Sequence, residues 1–106
     1  MNITHDHCPK NCGVVKTLKV IGSKWSMYIL HNLFDGPKRF GQLQRLLQTV
    51  SPKTLSLRLD ELEKVGLLKK KIFPEIPLHV EYSLTKKGLS LNQIFDEMAH
   101  WGEGSN

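Results

Sequence analysis

The chain has 106 residues, 40% of them hydrophobic, and a formal net charge of +5, which fits one domain with a modest core and favours a polyanionic partner. No apolar run approaches the roughly 18 residues of a membrane span, and the polar start lacks the apolar stretch of a secretory leader. Two cysteines are no disulfide framework, so the expected compartment is the reducing cytoplasm.

The positive charge is concentrated. Between Lys38 and Lys87 eleven Lys and Arg face five Asp and Glu, whereas the rest of the chain has four against five. Residues 1–12 read as an N-terminal arm, and 13–106 as a single domain. Val14, Leu18, Ile21 and Trp25 follow helical spacing, with Gly22–Ser23 as a break between two helices. The second helix is expected over Lys24 to Phe34, with Trp25, Tyr28, Ile29 and Leu33 as its apolar stripe, and Asp35–Gly36–Pro37 ends it.

A third helix carries Phe40, Leu43, Leu46 and Leu47 on its buried side. After a turn of about four residues, Ser51 caps a fourth helix and Pro52 occupies its first position, where no N–H is needed. Leu55, Leu59 and Leu62 form its inward stripe, and Gly66 ends it. Leu67 to Phe73 reads as a strand, Pro74–Glu75–Ile76–Pro77 as a stiff turn, and His79 to Leu84 as a second strand with alternating Val80, Tyr82 and Leu84. Thr85 caps one last helix, with Leu91, Ile94, Phe95, Met98 and Trp101 on its apolar side. The expected fold is mainly α with a small β-hairpin wing (α+β): a winged helix-turn-helix.

On the fourth helix, stepping about 100° per residue from Leu55 puts Lys53, Thr54 and Leu57 opposite the core, with Ser56 and Arg58 on the flanks. Lys53 can donate to guanine O6 and N7, Thr54 can bond a base or a phosphate, and Leu57 can pack on a thymine methyl. Ser51, Lys53, Thr54, Ser56, Leu57 and Arg58 are therefore the candidate DNA-reading set. Arg39, Lys69, Lys70, Lys71 and His79 are the candidate backbone and wing contacts, which set affinity and register rather than sequence choice. Val14, Leu18 and Ile21 from the first helix and Leu91, Ile94, Phe95, Met98 and Trp101 from the last exceed what one small core needs, and are the candidate homodimer interface.

Gly22–Ser23–Lys24–Trp25, Gly36–Pro37–Lys38–Arg39–Phe40, Ser51–Pro52–Lys53–Thr54–Leu55, Pro74–Glu75–Ile76–Pro77 and Val80–Glu81–Tyr82–Ser83–Leu84–Thr85–Lys86–Lys87–Gly88 stand in an order that resembles the HxlR family of bacterial regulators, similar in fold to the MarR group. The resemblance covers about Cys12 to Gly102. It implies a winged-helix homodimer on operator DNA, joined through its first and last helices. It also implies a thiol-sensing role for a cysteine at the position of Cys12. Family members carry Cys-Pro there; here Gly13 follows Cys12, and the Cys-Pro dipeptide is Cys8–Pro9. Leu57 replaces a usual polar residue, and His79 a usual Arg.

Cys12 and Cys8 are thus the candidate redox sensors. His5, His7, Cys8 and Cys12 are zinc-capable, but their spacing matches no established pattern, and no metal or other cofactor is expected. No glycine-rich phosphate loop or His-Glu-x-x-His motif is present, and the acids sit on helix surfaces beside lysines, so no enzyme is expected. The reading is a sequence-specific regulator on an inverted-repeat operator, with double-stranded DNA and a second copy of itself as partners. The alternatives are a winged-helix protein-interaction module and a non-specific architectural DNA binder.

Overall fold

The computed structural model describes residues 12–104; the arm reading for 1–12 falls almost entirely outside them. Six helices and three strands follow in the order α1 (Gly13–Ile21), α2 (Lys24–Leu33), β1 (Lys38–Arg39), α3 (Phe40–Leu47), α4 (Pro52–Lys64), β2 (Leu68–Phe73), β3 (His79–Leu84), α5 (Lys86–Leu89) and α6 (Asn92–Gly104). The winged helix-turn-helix is present, with two additions to the expected elements. Lys38–Arg39 form a third strand, antiparallel to β3, so the sheet order is β1-β3-β2. The single last helix is two, because the chain breaks at Ser90–Leu91, where the Leu91 N–H bonds back to the Gly88 carbonyl at 3.1 Å.

The core is built from leucines on α2, α3, α4 and the sheet. Ile29, Leu30, Leu43 and Leu55 are fully buried, with Leu59, Leu62, Leu67 and Leu68 almost so. The spacing of Leu55, Leu59 and Leu62 gives α4 one apolar stripe, and Leu68 and Leu84 close the sheet against it. Burial of each such side chain favours folding by roughly 1.5–3 kcal/mol. Leucines from all three helices of the winged core share this one cluster, so α4 has a fixed pose against α2 and α3.

Local chemistry sets the joints. Ser51 accepts the Thr54 N–H at 3.1 Å, and Pro52 follows at the first helical position, as expected for a cap that meets orphan N–H groups. The turn before it passes through Gln48 at φ 47°. Gly66, just past α4, sits at φ +81°, a left-handed conformation that glycine adopts without Cβ strain. Thr85 donates its hydroxyl to the Gly66 carbonyl at 2.6 Å and accepts the Gly88 N–H at 3.1 Å, tying the end of α4 to the start of α5.

The apolar side chains of α1 and α6 divide by burial. Ile21 is 5% exposed and packs into the chain's own core, at the base of the groove lined by Val14, Leu18, Ile94 and Met98. Leu91 and Phe95 are half-buried against that core, with Phe95 edge-on to Phe34 at 5.2 Å. By contrast, Val14, Leu18, Ile94, Met98 and Trp101 are all exposed. Among the described residues, none of α6 is buried.

Candidate nucleic-acid interface

The α3–turn–α4 unit presents one face of α4 outward. Lys53, Ser56 and Leu57 are exposed, Thr54 is half-buried, and Ser51 is exposed at the cap. The Ser51 hydroxyl also lies 3.0 Å from that of Thr54, which holds the first turn of the helix in one arrangement. Leu57 is 51% exposed, an apolar side chain set between polar ones on an outward face. Arg58 departs from the rest of the candidate set. It is half-buried, and its Nη1 pairs with Glu61 at 2.8 Å along the flank of α4. The structure thus brings Ser51, Lys53, Thr54, Ser56 and Leu57 to one end and face, with Arg58 turned aside.

The wing sorts the lysines by parity. Leu68 is buried, so Lys70 and Ile72 share its side of β2, whereas Lys69, Lys71 and Phe73 point to the other. Lys70 lies opposite Tyr82 and stands 3.9 Å from Glu63 at the end of α4. Lys69 and Lys71 thus share a face, and Lys70 turns toward the end of α4. On the Lys71 face, Glu81 is flanked across the strands by Lys71 and Arg39. Tyr82, on the α4 side, has its phenol pushed above the usual range by burial, and further by the carboxylates of Asp60 and Glu63.

His79 does not project from the wing tip. Its ring stacks on Phe73 at 4.5 Å, and its Nδ1 is 3.5 Å from a Glu75 carboxylate oxygen. Lys71 sits over the other ring of the pair, 5.0 Å from the Phe73 centroid. The tip itself is apolar: Ile76 is fully exposed and Leu78 is exposed. Sequence reasoning treated Pro74–Glu75–Ile76–Pro77 only as a turn and missed these side chains. The available signal was an isoleucine between two prolines, a place where no core face can receive it.

At the α1 end, Cys12 is disulfide-bonded and precedes α1, whose Lys16 N–H bonds the Cys12 carbonyl at 2.9 Å. Cys8, the other candidate sensor, lies outside the described residues, as do His5 and His7. Among the described residues, no three His, Cys, Asp or Glu side chains cluster as metal ligands, and no helix is long and apolar enough to cross a membrane.

A capped helix-turn-helix joined to a basic three-stranded wing defines a winged helix-turn-helix protein. The profile of HxlR-like helix-turn-helix proteins matches residues 20–106, and the chain belongs to that family. It is therefore a DNA-binding transcriptional regulator and not an enzyme. It is 48% identical over 87 residues to the regulator BH0655 of Halalkalibacterium halodurans, covering 81% of this chain and 77% of that one. The reduced form of the regulator YodB from Bacillus subtilis superposes with a TM-score of 0.77 at 36% identity, over 87% of this chain and 91% of that one. The redox regulator HypR in its oxidized form superposes with a TM-score of 0.82 at 40% identity, over 90% and 97%.

Proposed function

We propose that two copies of this chain form a two-fold dimer that recognises an inverted-repeat operator in the cytoplasm. The observation that carries this reading is the outward face of α4, where Lys53, Thr54 and Leu57 lie at the capped end of a helix locked into the core. A helix so placed enters a major groove by its first turns. The exposed stripe of α1 and α6 supports the dimer. Val14, Leu18, Ile94 and Met98 line an apolar groove of about 560 Å³, a surface that a soluble protomer does not leave open. The two recognition helices then fall on one DNA face, about 34–36 Å apart.

In this reading Lys53 and Leu57 read bases, and Lys69, Lys71 and Arg39 hold phosphates beside the groove. The apolar tip, Ile76 and Leu78, meets the minor groove wall. An architectural binder would share these charges, and only a specificity ratio at defined salt separates the two. Selection of bound sites from random DNA, followed by footprinting, tests the reading. A symmetric pair of half-sites in successive major grooves is expected; bound pools without a common sequence, or a footprint in a single groove, would overturn it.

Thiol sensing is a second layer, favoured by the disulfide at Cys12 and by similarity to a redox regulator in its oxidized form. A disulfide beside α1 sits where the dimer helices begin, so oxidation reaches the spacing of the recognition helices. Operator affinity measured with dithiothreitol and with diamide should differ in the native chain, and the difference should vanish in Cys12→Ser.

A further inference from the structure

Phe73 pairs with His79 across the hairpin, so the wing turns in five residues, Pro74 to Leu78. We infer that this tip is a wedge: Ile76, backed by Leu78, inserts between adjacent base pairs from the minor groove and kinks the DNA on which the recognition helix sits. The inference rests on the proposed function and adds to it a bend and a second means of choosing sequence.

The tip is apolar and uncovered. Ile76 is fully exposed, Leu78 is exposed, and neither packs on the core cluster. The tip is also stiff. Ile76 lies between Pro74 and Pro77, and a proline fixes its own φ and restricts the residue before it. At the base of the loop the Phe73 and His79 rings stack at 4.5 Å, 14° from parallel, and the Glu75 N–H bonds the Phe73 carbonyl at 2.8 Å. A loop ordered beforehand loses little freedom on binding, so the gain from covering Ile76 is kept. The surroundings are basic. Lys69, Lys70 and Lys71 lie on the strand that leads to the tip. Glu75 is the one acid in the loop, and its carboxylate is held 3.5 Å from His79 Nδ1. Lysine is depleted at protein interfaces but favourable beside phosphates, so the charge around the tip selects DNA over an apolar protein surface.

Reach and mechanics agree with this placement. The six residues of β2 span about 20 Å, comparable with half of the roughly 34–36 Å helical turn that separates successive major grooves. Apolar side chains pushed between base steps unstack them and bend the duplex toward the major groove. Pyrimidine–purine steps open most easily and A-tracts resist. The step under each tip is therefore read through its deformability, at a position where no base edge is hydrogen-bonded.

The test uses duplexes that the full chain selects from a random pool, labelled at both ends with a fluorescent donor and acceptor. 2-Aminopurine replaces the adenines of the flanking steps one at a time. The native chain is expected to raise energy transfer between the ends, and to raise aminopurine emission several-fold at one step on each side. Ile76→Ala, a change at a fully exposed side chain, should lose both signals and bind several-fold more weakly. Its salt slope should be unchanged, because no charge is removed. Ile76→Met, still apolar and flexible enough to insert, should keep the bend. Replacing the responsive step by AA should weaken the native chain several-fold and Ile76→Ala by less than twofold. Bending or unstacking that survives in Ile76→Ala, or a bend lost equally in Ile76→Met, would overturn the wedge. Equal affinity of the native chain and Ile76→Ala, the result for a tip that serves a protein partner instead, would also overturn it. A native chain that binds its selected site without bend or unstacking removes the wedge and leaves the regulator reading standing; a chain that selects no DNA removes both.

Discussion

Leu57 puts an apolar side chain on the α4 face that carries Lys53, and in the proposed reading the two divide the work of recognition. Lys53 can donate to guanine, whereas Leu57 can only exclude water beside a methyl group. Lys53→Ala is therefore expected to weaken the preferred operator by about 1–3 kcal/mol and to relax preference at one base position. Lys69→Ala should weaken all sequences alike and lower the salt slope by about one unit. Binding isotherms at several salt concentrations, on matched and scrambled sites, check both. Lys69 is chosen over Lys70 for that second role because Lys70 stands 3.9 Å from Glu63. A residue-scale pH effect sits beside β1. The Lys38 ammonium, 2.7 Å from Asp35, holds that carboxyl below the usual aspartate value of 3.8 by its hydrogen bond and its charge. A depressed carboxyl stabilises the fold above the ordinary value and loses that contribution as pH falls through the folded value. The Asp35 carboxyl titration followed by NMR should therefore move up in Lys38→Met.

At the scale of elements, Gly88 is the tightest joint. A Cβ there would collide with the Leu67 carbonyl oxygen, so Gly88→Ala forces the α5 turn off the backbone that leads into β2. A loss of about 1–3 kcal/mol is expected, the cost of overpacking a fixed contact, and urea melts measure it. The same element shows where sequence reading stopped. The cap at Thr85 was legible because a Thr before a lysine pair and a glycine is local chemistry. The break at Ser90–Leu91 was not, since Leu91, Ile94, Phe95 and Met98 keep helical spacing through the α6 side of it. Strand β1 was invisible for a related reason: two residues show no period, and Lys38–Arg39 become a strand only because Tyr82 and Glu81 lie opposite. The recognition helix was legible almost to the residue, because its cap, its proline and its leucine stripe all depend on neighbours in sequence. The packing of Ile21 into the chain's own core was not legible, because periodicity identifies an apolar face without saying which molecule covers it. Arg58 was placed on the right flank of the wheel, but the cavity that it lines with Leu18 and Lys19 of α1 depends on packing far from it in the chain.

For the whole molecule, the open stripe on α1 and α6 is where the proposed dimer would join. Met98→Asp is expected to yield monomers by sedimentation at micromolar concentration while the winged core keeps its circular dichroism, since Met98 is exposed and outside the core cluster. The native chain should sediment as a dimer. A further consequence follows from α6, a helix of 13 residues none of which is buried. Isolated helices shorter than about 12–15 residues are marginal in water, so in a lone protomer α6 is anchored through Phe95 against Phe34 and its remainder depends on being covered. Below the dissociation constant of the proposed dimer the C-terminal turns of the helix should fray and the bond after Trp101 become cleavable by chymotrypsin; above it that bond should be protected. Limited digestion across a dilution series should show that threshold. Breakdown in the cell would then rise steeply as the protein becomes scarce, and the lifetime of this regulator would depend on its own abundance.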